Sequence, residues 1–503
     1  MGIDYKTAIA GLAPFYRIAM TVKAAPGSHI LMEVWLPEKT WTGRSVMIGN
    51  NGSAMAVSHL ALIGALQDNF AAFHCNLSTG PDMDRGLNSP AVWADFGWRA
   101  THLTTVIGKQ IVEMFYGKVA DHNYFYGCST GGQQAVSAAG LFPEDFDGIV
   151  AVAPAFSRTY LHIYFVWNCQ NLIYPDGSFV FDSAEVQKLS EISIAYFQSR
   201  GDGAPGDGFV TNPYLTEAEK EEIFARIKAA NFLSEEKLEK LWKVYQGPVN
   251  PRTGERIYCG HAMGAEGGFM GLDIVKIPGY TYEFLYPVRW AVNQKFADFD
   301  LFAFDFDKDT DKTLVLAKDL NADSADLDAF RKAGGKLIMT SGAMDAVVPE
   351  PNISCYYDKV VEKQGGIENT REFFRYFLVP GMSHSIKGGT GIDYMGTMDG
   401  EIPLSAGYIP VAKWDAGLVN VLIDWVENKN APEYIMGTGF NAMNSTGMVA
   451  DLGKGIRLQR PVYAYPDETV YVEGDTSLPT SFAKKEGGLK AREPRGKRYW
   501  KYD

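Results

Sequence analysis

The apolar positions of this chain change spacing several times, and each change predicts an element. Short apolar runs at 30–36, 45–48 and 70–75 predict strands, and the loop Gly49-Asn50-Asn51-Gly52-Ser53 follows the second. Residues 102–116 carry apolar positions at helical spacing, after a Trp-rich stretch at 93–98. The aromatic run 124–126 predicts a strand that stops at Gly127. A small-residue helix over 135–141 and a strand over 148–154 come next. Strand, helix, strand in this order implies a parallel sheet with right-handed crossovers. The alternation breaks between 156 and 328, an aromatic, loop-rich region with helices at 216–231 and 234–244. It resumes with a helix at 327–332, a strand at 336–340, a helix at 355–363, a strand at 373–379 and a helix at 414–428. The expected architecture is therefore α/β: 1–155 joined with 329–503 in one discontinuous sheet domain, and 156–328 as an inserted lid. Residues 430–503 predict a non-helical tail whose basic end, 484–501, is solvated or loosely packed.

Composition narrows the function classes. A chain of 503 residues is too long for one core of ordinary size, which agrees with a large insertion. Apolar content of 46% and charged content of 21% are those of a globular protein. The net charge of -13 opposes binding to nucleic acid and to anionic membranes. Any acid group on a ligand would need a local Arg or Lys. No run of about 18 apolar residues is present, so no transmembrane helix is expected. The first residues, Met1-Gly2-Ile3-Asp4-Tyr5-Lys6, lack a basic region followed by an apolar one, so no signal peptide is expected. The five cysteines, at 75, 128, 169, 259 and 355, are odd in number, widely spaced and contain no C-x-x-C. That pattern predicts no zinc site and, most simply, a reduced intracellular protein, with one or two disulfides as the alternative.

Chemistry concentrates at Gly127-Cys128-Ser129-Thr130-Gly131, a G-x-S-x-G between a predicted strand and a predicted helix. In that context the pentapeptide predicts the nucleophile elbow of an α/β-hydrolase fold. A sharp turn lifts the Ser129 hydroxyl from the sheet and aims the Thr130 N–H at a developing oxyanion. The fold needs an acid and then a histidine, each after a later strand. Asp345 follows the apolar run 337–339 and a Gly turn, and His384 follows 377–379 and Pro380-Gly381. Among eight histidines, His74 at the end of an early strand and His102 on a helix stand in the wrong places. Asp358, on the following helix, is the nearest rival to Asp345. The Gly-rich loop at 49–52 is expected to supply the second oxyanion donor at Gly52. Lid aromatics Tyr164, Trp167, Tyr280 and Trp290 are candidates for the walls of a substrate pocket.

The chain resembles the tannase and feruloyl esterase family, which also contains a hydrolase of the mono-ester of terephthalate and ethylene glycol. The likeness is carried by Gly127-Cys128-Ser129-Thr130-Gly131-Gly132, by Asp95-Phe96-Gly97-Trp98-Arg99-Ala100 before it, and by the run from Phe142 to Val150 with Ala153-Pro154-Ala155 after it. Pro251-Arg252-Thr253-Gly254, Asp328-Ala329-Phe330, Gly335-Lys336-Leu337-Ile338 and Pro380-Gly381-Met382-Ser383-His384 extend it over roughly 40–482. The resemblance implies a serine carboxylesterase acting on a small-molecule ester of a hydroxylated aromatic acid, with no required cofactor. Half-esters of terephthalate and non-aromatic esters are alternative substrates, and a non-catalytic binder on the same fold is the alternative class.

Two departures from the family pattern stand out. The resemblance implies a disulfide between the Cys before the nucleophile and a Cys after the catalytic His, but Ser385 follows His384 here. A cytoplasmic location is expected on that ground, with a secreted or periplasmic one as the alternative the family implies. The family's lid also carries a Ca²⁺ loop rich in Asp. In its place stands 201–210, where Asp202 and Asp207 remain and the spacing is altered. A weakened structural Ca²⁺ site and a turn that has lost its metal are both compatible with that loop.

Overall fold

The computed structural model describes residues 9, 11–269, 285–384, 391–396, 416–441 and 454–491. Its centre is an eight-stranded sheet of β1 (Phe15–Val22), β2 (Ile30–Pro37), β3 (Arg44–Ile48), β4 (Ala71–Cys75), β5 (His122–Cys128), β6 (Gly148–Val152), β7 (Lys336–Gly342) and β8 (Phe374–Val379). The spatial order is β1-β2-β4-β3-β5-β6-β7-β8. β1 and β2 pair antiparallel, as do β2 and β4, and every pairing from β4 through β3 to β8 is parallel. Crossovers are made by helices, including α1 (His59–Gln67), α2 (Ala100–Tyr116) and α3 (Thr130–Leu141). This is an α/β-hydrolase-type fold.

Parallel strands covered on both faces read as continuous apolar runs. All five residues of β6 are buried, and β5 is buried from Tyr124 onward. Alternate residues feed opposite faces. Tyr124, Tyr126, Val150 and Ile338 share one core with Leu422 and Trp425 of the late helix Ala416–Asn428. Phe125, Ile149, Leu337 and Met339 share the other with Leu161, Tyr164 and Trp290 of the insertion. The insertion leaves the sheet after β6 and returns at β7. It is largely helical, with α4 (Arg158–Leu172), α5 (Ser183–Ser199), α6 (Glu217–Ala229) and α7 (Glu235–Gln246). Two of these helices, α5 and α6, begin in capping boxes, formed by Asp182 with Glu185 and by Thr216 with Glu219.

Two elements differ from expectation. β1 is not among the predicted strands: it is an edge strand with no buried residue, its apolar positions interrupted by Arg17, which pairs with Glu33 of β2. The C-terminal region, expected as a non-helical tail, forms strands where it is described, while Lys484 and Lys485 at the start of its basic end are exposed. β9 (Tyr394–Met395), β10 (Tyr434–Phe440) and β11 (Ile456–Tyr463) form a second sheet, and β12 (Glu468–Tyr471) pairs with β13 (Phe482–Lys485). The Tyr465 N–H donates to the Tyr376 carbonyl at 2.7 Å, which fastens this region to β8. Lys484 is engaged with Glu433 at 2.6 Å, while the basic end from 492 lies outside the described residues. Among the described residues, no helix is long and apolar enough to cross a membrane.

Candidate active site

Ser129 sits between β5 and α3 with φ 60° and ψ −112°. A non-glycine residue in this region carries strain of about 1–3 kcal/mol, which persists only where its surroundings enforce it. They do so here. The Ser129 N–H donates to the Val152 carbonyl at 2.9 Å, and its carbonyl accepts from Gln133 and Ala155. The small neighbours are a steric requirement. A Cβ on Gly127 would lie 2.3 Å from the Gly131 carbonyl oxygen, and one on Gly132 would lie 2.6 Å from Pro154 Cα. Strand and helix can approach this closely only without side chains at those positions.

The loop after β3 is fastened to the elbow by three hydrogen bonds. Gly131 N–H donates to the Asn50 carbonyl at 2.6 Å, Asn50 N–H donates to Gln134 Oε1 at 2.8 Å, and the Thr130 hydroxyl donates to the Gly52 carbonyl at 2.7 Å. Gly52 adopts φ 55°, a left-handed turn that leaves the strand direction at once. Thr130 opens α3, so its N–H has no acceptor within the helix. A cleft of about 380 Å³ runs along residues 49–58 of this loop, with His74 and Ala61 on its wall.

Asp345 and His384 follow β7 and β8, at the same C-terminal edge of the sheet as Ser129. Their two loops are zipped together: Ala343 N–H donates to the Val379 carbonyl at 3.0 Å and Met344 N–H to the Met382 carbonyl at 2.9 Å. A Cβ on Gly342 would lie 2.2 Å from the Met382 carbonyl oxygen, so this turn also needs glycine. Asp345 is fully buried, and His384 Nδ1 lies 2.8 Å from its Oδ2. The rival residues are elsewhere. His102 pairs with Asp145 at 2.8 Å and stacks on Phe142, at the opposite, N-terminal ends of β5 and β6. Asp358 lies on α8 (Glu350–Lys363) and accepts from the Tyr465 hydroxyl at 3.2 Å.

The lid aromatics are committed to packing. Tyr164 is fully buried and donates to the Ala346 carbonyl at 3.1 Å, which braces the loop carrying Asp345. Trp290 is buried over Gly86 and donates to the Met83 carbonyl at 2.6 Å. Trp167 is partly buried and donates to the Lys243 carbonyl at 2.8 Å. Tyr280 lies outside the described residues.

Asp202 and Asp207, the candidates for a Ca²⁺ site, have both carboxylates already engaged. Asp207 takes a bidentate pair of bonds from Arg460 of β11, each 2.6 Å, and also accepts from Ala204 N–H. Asp202 accepts from Thr211 N–H and Asn212 N–H, each 2.8 Å, and burial raises its carboxyl to about 6. Ca²⁺ requires six to eight oxygens. No group of three or more acidic, His or Cys side chains stands together among the described residues. As placed, the two aspartates do not fit the cation, because a guanidinium fills the role of counter-charge.

The sequence reading missed Arg460 and Arg158. Each acts on a residue far away in the chain, and neither lies in a motif. Arg158 Nη2 donates to Thr130 Oγ1 at 2.9 Å and its Nε to Gln133 Oε1 at 2.7 Å.

Comparison with known proteins shows the family. Residues 17–484 match the family described as tannase and feruloyl esterase. The chain is 29% identical over 501 residues to an esterase of Xanthomonas campestris pv. campestris, covering 93% of this chain and 83% of that protein. It is 28% identical over 493 residues to feruloyl esterase B of Aspergillus niger, covering 95% of this chain and 88% of the relative. The crystal structure of feruloyl esterase B from Aspergillus oryzae superposes with a TM-score of 0.75 at 24% identity, over 94% of this chain and 91% of the other. This protein belongs to the tannase and feruloyl esterase family and is a carboxylic ester hydrolase.

Proposed function

We propose that the protein is a serine esterase that hydrolyses esters of hydroxylated aromatic acids of the feruloyl and galloyl type, through an acyl-enzyme on Ser129. The observation that carries the mechanism is the 2.8 Å His384–Asp345 pair at the sheet edge where the strained Ser129 stands. In the first step Ser129 Oγ attacks the ester carbonyl and its proton passes to His384 Nε2. Asp345 holds the imidazole in the tautomer that keeps Nε2 free to accept, and stabilises the imidazolium. The tetrahedral oxyanion takes hydrogen bonds from the N–H groups of Thr130 and Gly52. Collapse expels the alkoxide, which takes the proton from His384 as the alcohol leaves. Water, deprotonated by His384, then attacks the acyl-enzyme and releases the acid. No metal takes part in these steps. Residues 156–328 act as the lid over this edge.

The aromatic acyl preference is supported by the similarity to feruloyl esterase B of Aspergillus niger. Rates on matched methyl ferulate, methyl gallate, chlorogenate, terephthalate half-esters and short aliphatic esters test it. Ferulate or gallate esters should show the highest kcat/KM. A terephthalate or aliphatic ester at the top of the panel would reassign the substrate. A reducing, cytoplasmic setting is supported by five buried cysteine thiols and by Ser385 after His384, although Ser385 itself lies outside the described residues. Five thiols titrating after denaturation, without reductant, is the expected result; fewer would indicate disulfides and a secreted or periplasmic protein.

A further inference from the structure

Among the described residues, three arginines are almost completely buried: Arg158, Arg289 and Arg460. Two have a carboxylate. Arg460 grips Asp207 with both ends of its fork, and Arg289 pairs with Asp84. Arg158 has none among the described residues. Its Nε donates to Gln133 Oε1 at 2.7 Å, its Nη2 donates to Thr130 Oγ1 at 2.9 Å, and its Nη1 lies 3.4 Å from His162 Nε2. Its Cζ lies 5.4 Å from the centre of the Phe96 ring. Desolvation by burial pulls the guanidinium below its ordinary value. A cation so placed is costly unless a negative charge compensates it.

Its position identifies where such a charge arises. The Thr130 hydroxyl has one proton, which it gives to the Gly52 carbonyl at 2.7 Å. Its oxygen then accepts from Arg158. The chain Arg158–Thr130–Gly52 thus joins α4, the first residue of α3 and the loop after β3. Thr130 and Gly52 are the two residues whose N–H groups face the oxyanion in the proposed mechanism.

We infer that Arg158 is a positioning residue of the oxyanion hole: it orients the Thr130 hydroxyl, holds Gly52 through it, and its unneutralised charge favours the anionic tetrahedral intermediate over the neutral ester. This inference rests on the serine-esterase reading. The intermediate differs from the ground state by one negative charge, formed when the Ser129 oxygen adds and the carbonyl π pair moves to oxygen. A fixed cation bonded to the side chain of a residue whose N–H receives that oxygen is therefore felt more strongly in the transition state than in the substrate complex.

Kinetics of Arg158→Met, which removes the charge at similar bulk, test this. Turnover should fall about 10- to 100-fold with KM within about threefold. The inhibition constant of an aryl trifluoromethyl ketone, which forms a tetrahedral adduct with the serine, should rise by the same factor as kcat/KM falls. Arg158→Lys should recover part of both. Thr130→Val, which keeps the backbone N–H, should also lower both. If Arg158→Met does not fold, the Lys and Thr130 variants decide the question by the same two readouts. Turnover within twofold of native in Arg158→Met overturns the inference, as does a lowered kcat with unchanged affinity for the ketone. Turnover retained in Ser129→Ala would instead remove the serine mechanism. An inactive Ser129→Ala beside a native-like Arg158→Met would remove only the role given to Arg158.

Discussion

His384 Nδ1 lies 2.8 Å from Oδ2 of Asp345, while the other oxygen of Asp345 accepts from Val347 N–H and Val348 N–H, each at 2.8 Å. The carboxylate is thereby held by its own loop before it meets the imidazole, and both of its oxygens are used. Ser129→Ala or His384→Ala should lower kcat by about 10⁴-fold with folding retained. Asp345→Asn should lower it by about 10³- to 10⁴-fold, because the Val347 and Val348 N–H groups claim the amide oxygen, leaving its NH2 to donate to Nδ1 and shift the imidazole proton to Nε2. Asp358→Asn should leave kcat near native. A larger loss from Asp358→Asn than from Asp345→Asn, in steady-state assays, would reassign the acid.

The elbow makes a steric prediction with its own control. Gly127→Ala places a Cβ against the Gly131 backbone, and Gly132→Ala places one against Pro154; neither contact can be relieved by a rotamer change. Each should cost more than about 2 kcal/mol in denaturant unfolding and abolish activity. Gly140→Ala, later in the same helix, meets nothing within 4 Å. It should be neutral or gain up to about 1 kcal/mol from helix propensity.

The loop bearing Asp202 and Asp207 should be insensitive to metal. It supports both catalytic loops: the Val210 carbonyl accepts from Gly381 N–H at 2.9 Å, and Val210 N–H lies 3.5 Å from Met344 Sδ. Chelator should leave the melting temperature of the native protein unchanged. Arg460→Met, which strands Asp207 in a buried site, should destabilise by about 3–5 kcal/mol. A chelator-dependent melting temperature, with calcium found by elemental analysis, would restore the metal site.

Glu350 predicts a pH dependence. It is fully buried, and its Oε1 accepts from the hydroxyls of Tyr214 at 2.5 Å and Tyr376 at 2.8 Å. Burial outweighs those bonds and raises its carboxyl from 4.5 to about 7. The folded state therefore binds this proton more tightly than the unfolded state. Its contribution is complete below the unfolded pKa and is lost as pH rises through about 4.5 to about 7. The loss should be on the order of 3 kcal/mol. Glu350→Gln should remove this slope, so the variant should gain stability relative to native as pH rises from 5 to 8. Parallel curves of melting temperature against pH for the two proteins would remove the assignment.

The chain by itself determined the order of strands and helices, the elbow at Ser129, and the turns that carry Asp345 and His384. These are local signals. A buried parallel strand must be apolar throughout, a strained turn must have small neighbours, and a residue just past a strand end is placed by that strand alone. The edge strand β1 was missed because one side of it faces solvent, so its pattern is diluted by residues such as Arg17. What the lid aromatics do was not local. Tyr164, Trp167 and Trp290 look alike as pocket walls or as core, and their partners at Ala346, Lys243 and Met83 decide for packing. The same holds for charge. Nothing near Asp207 in sequence announces a counter-ion, because Arg460 is 253 residues away. Nothing near Arg158 announces that, among the described residues, its guanidinium has no carboxylate partner. Pairing of buried charges depends on which distant segments the folded core brings together, and only the tertiary structure contains that information.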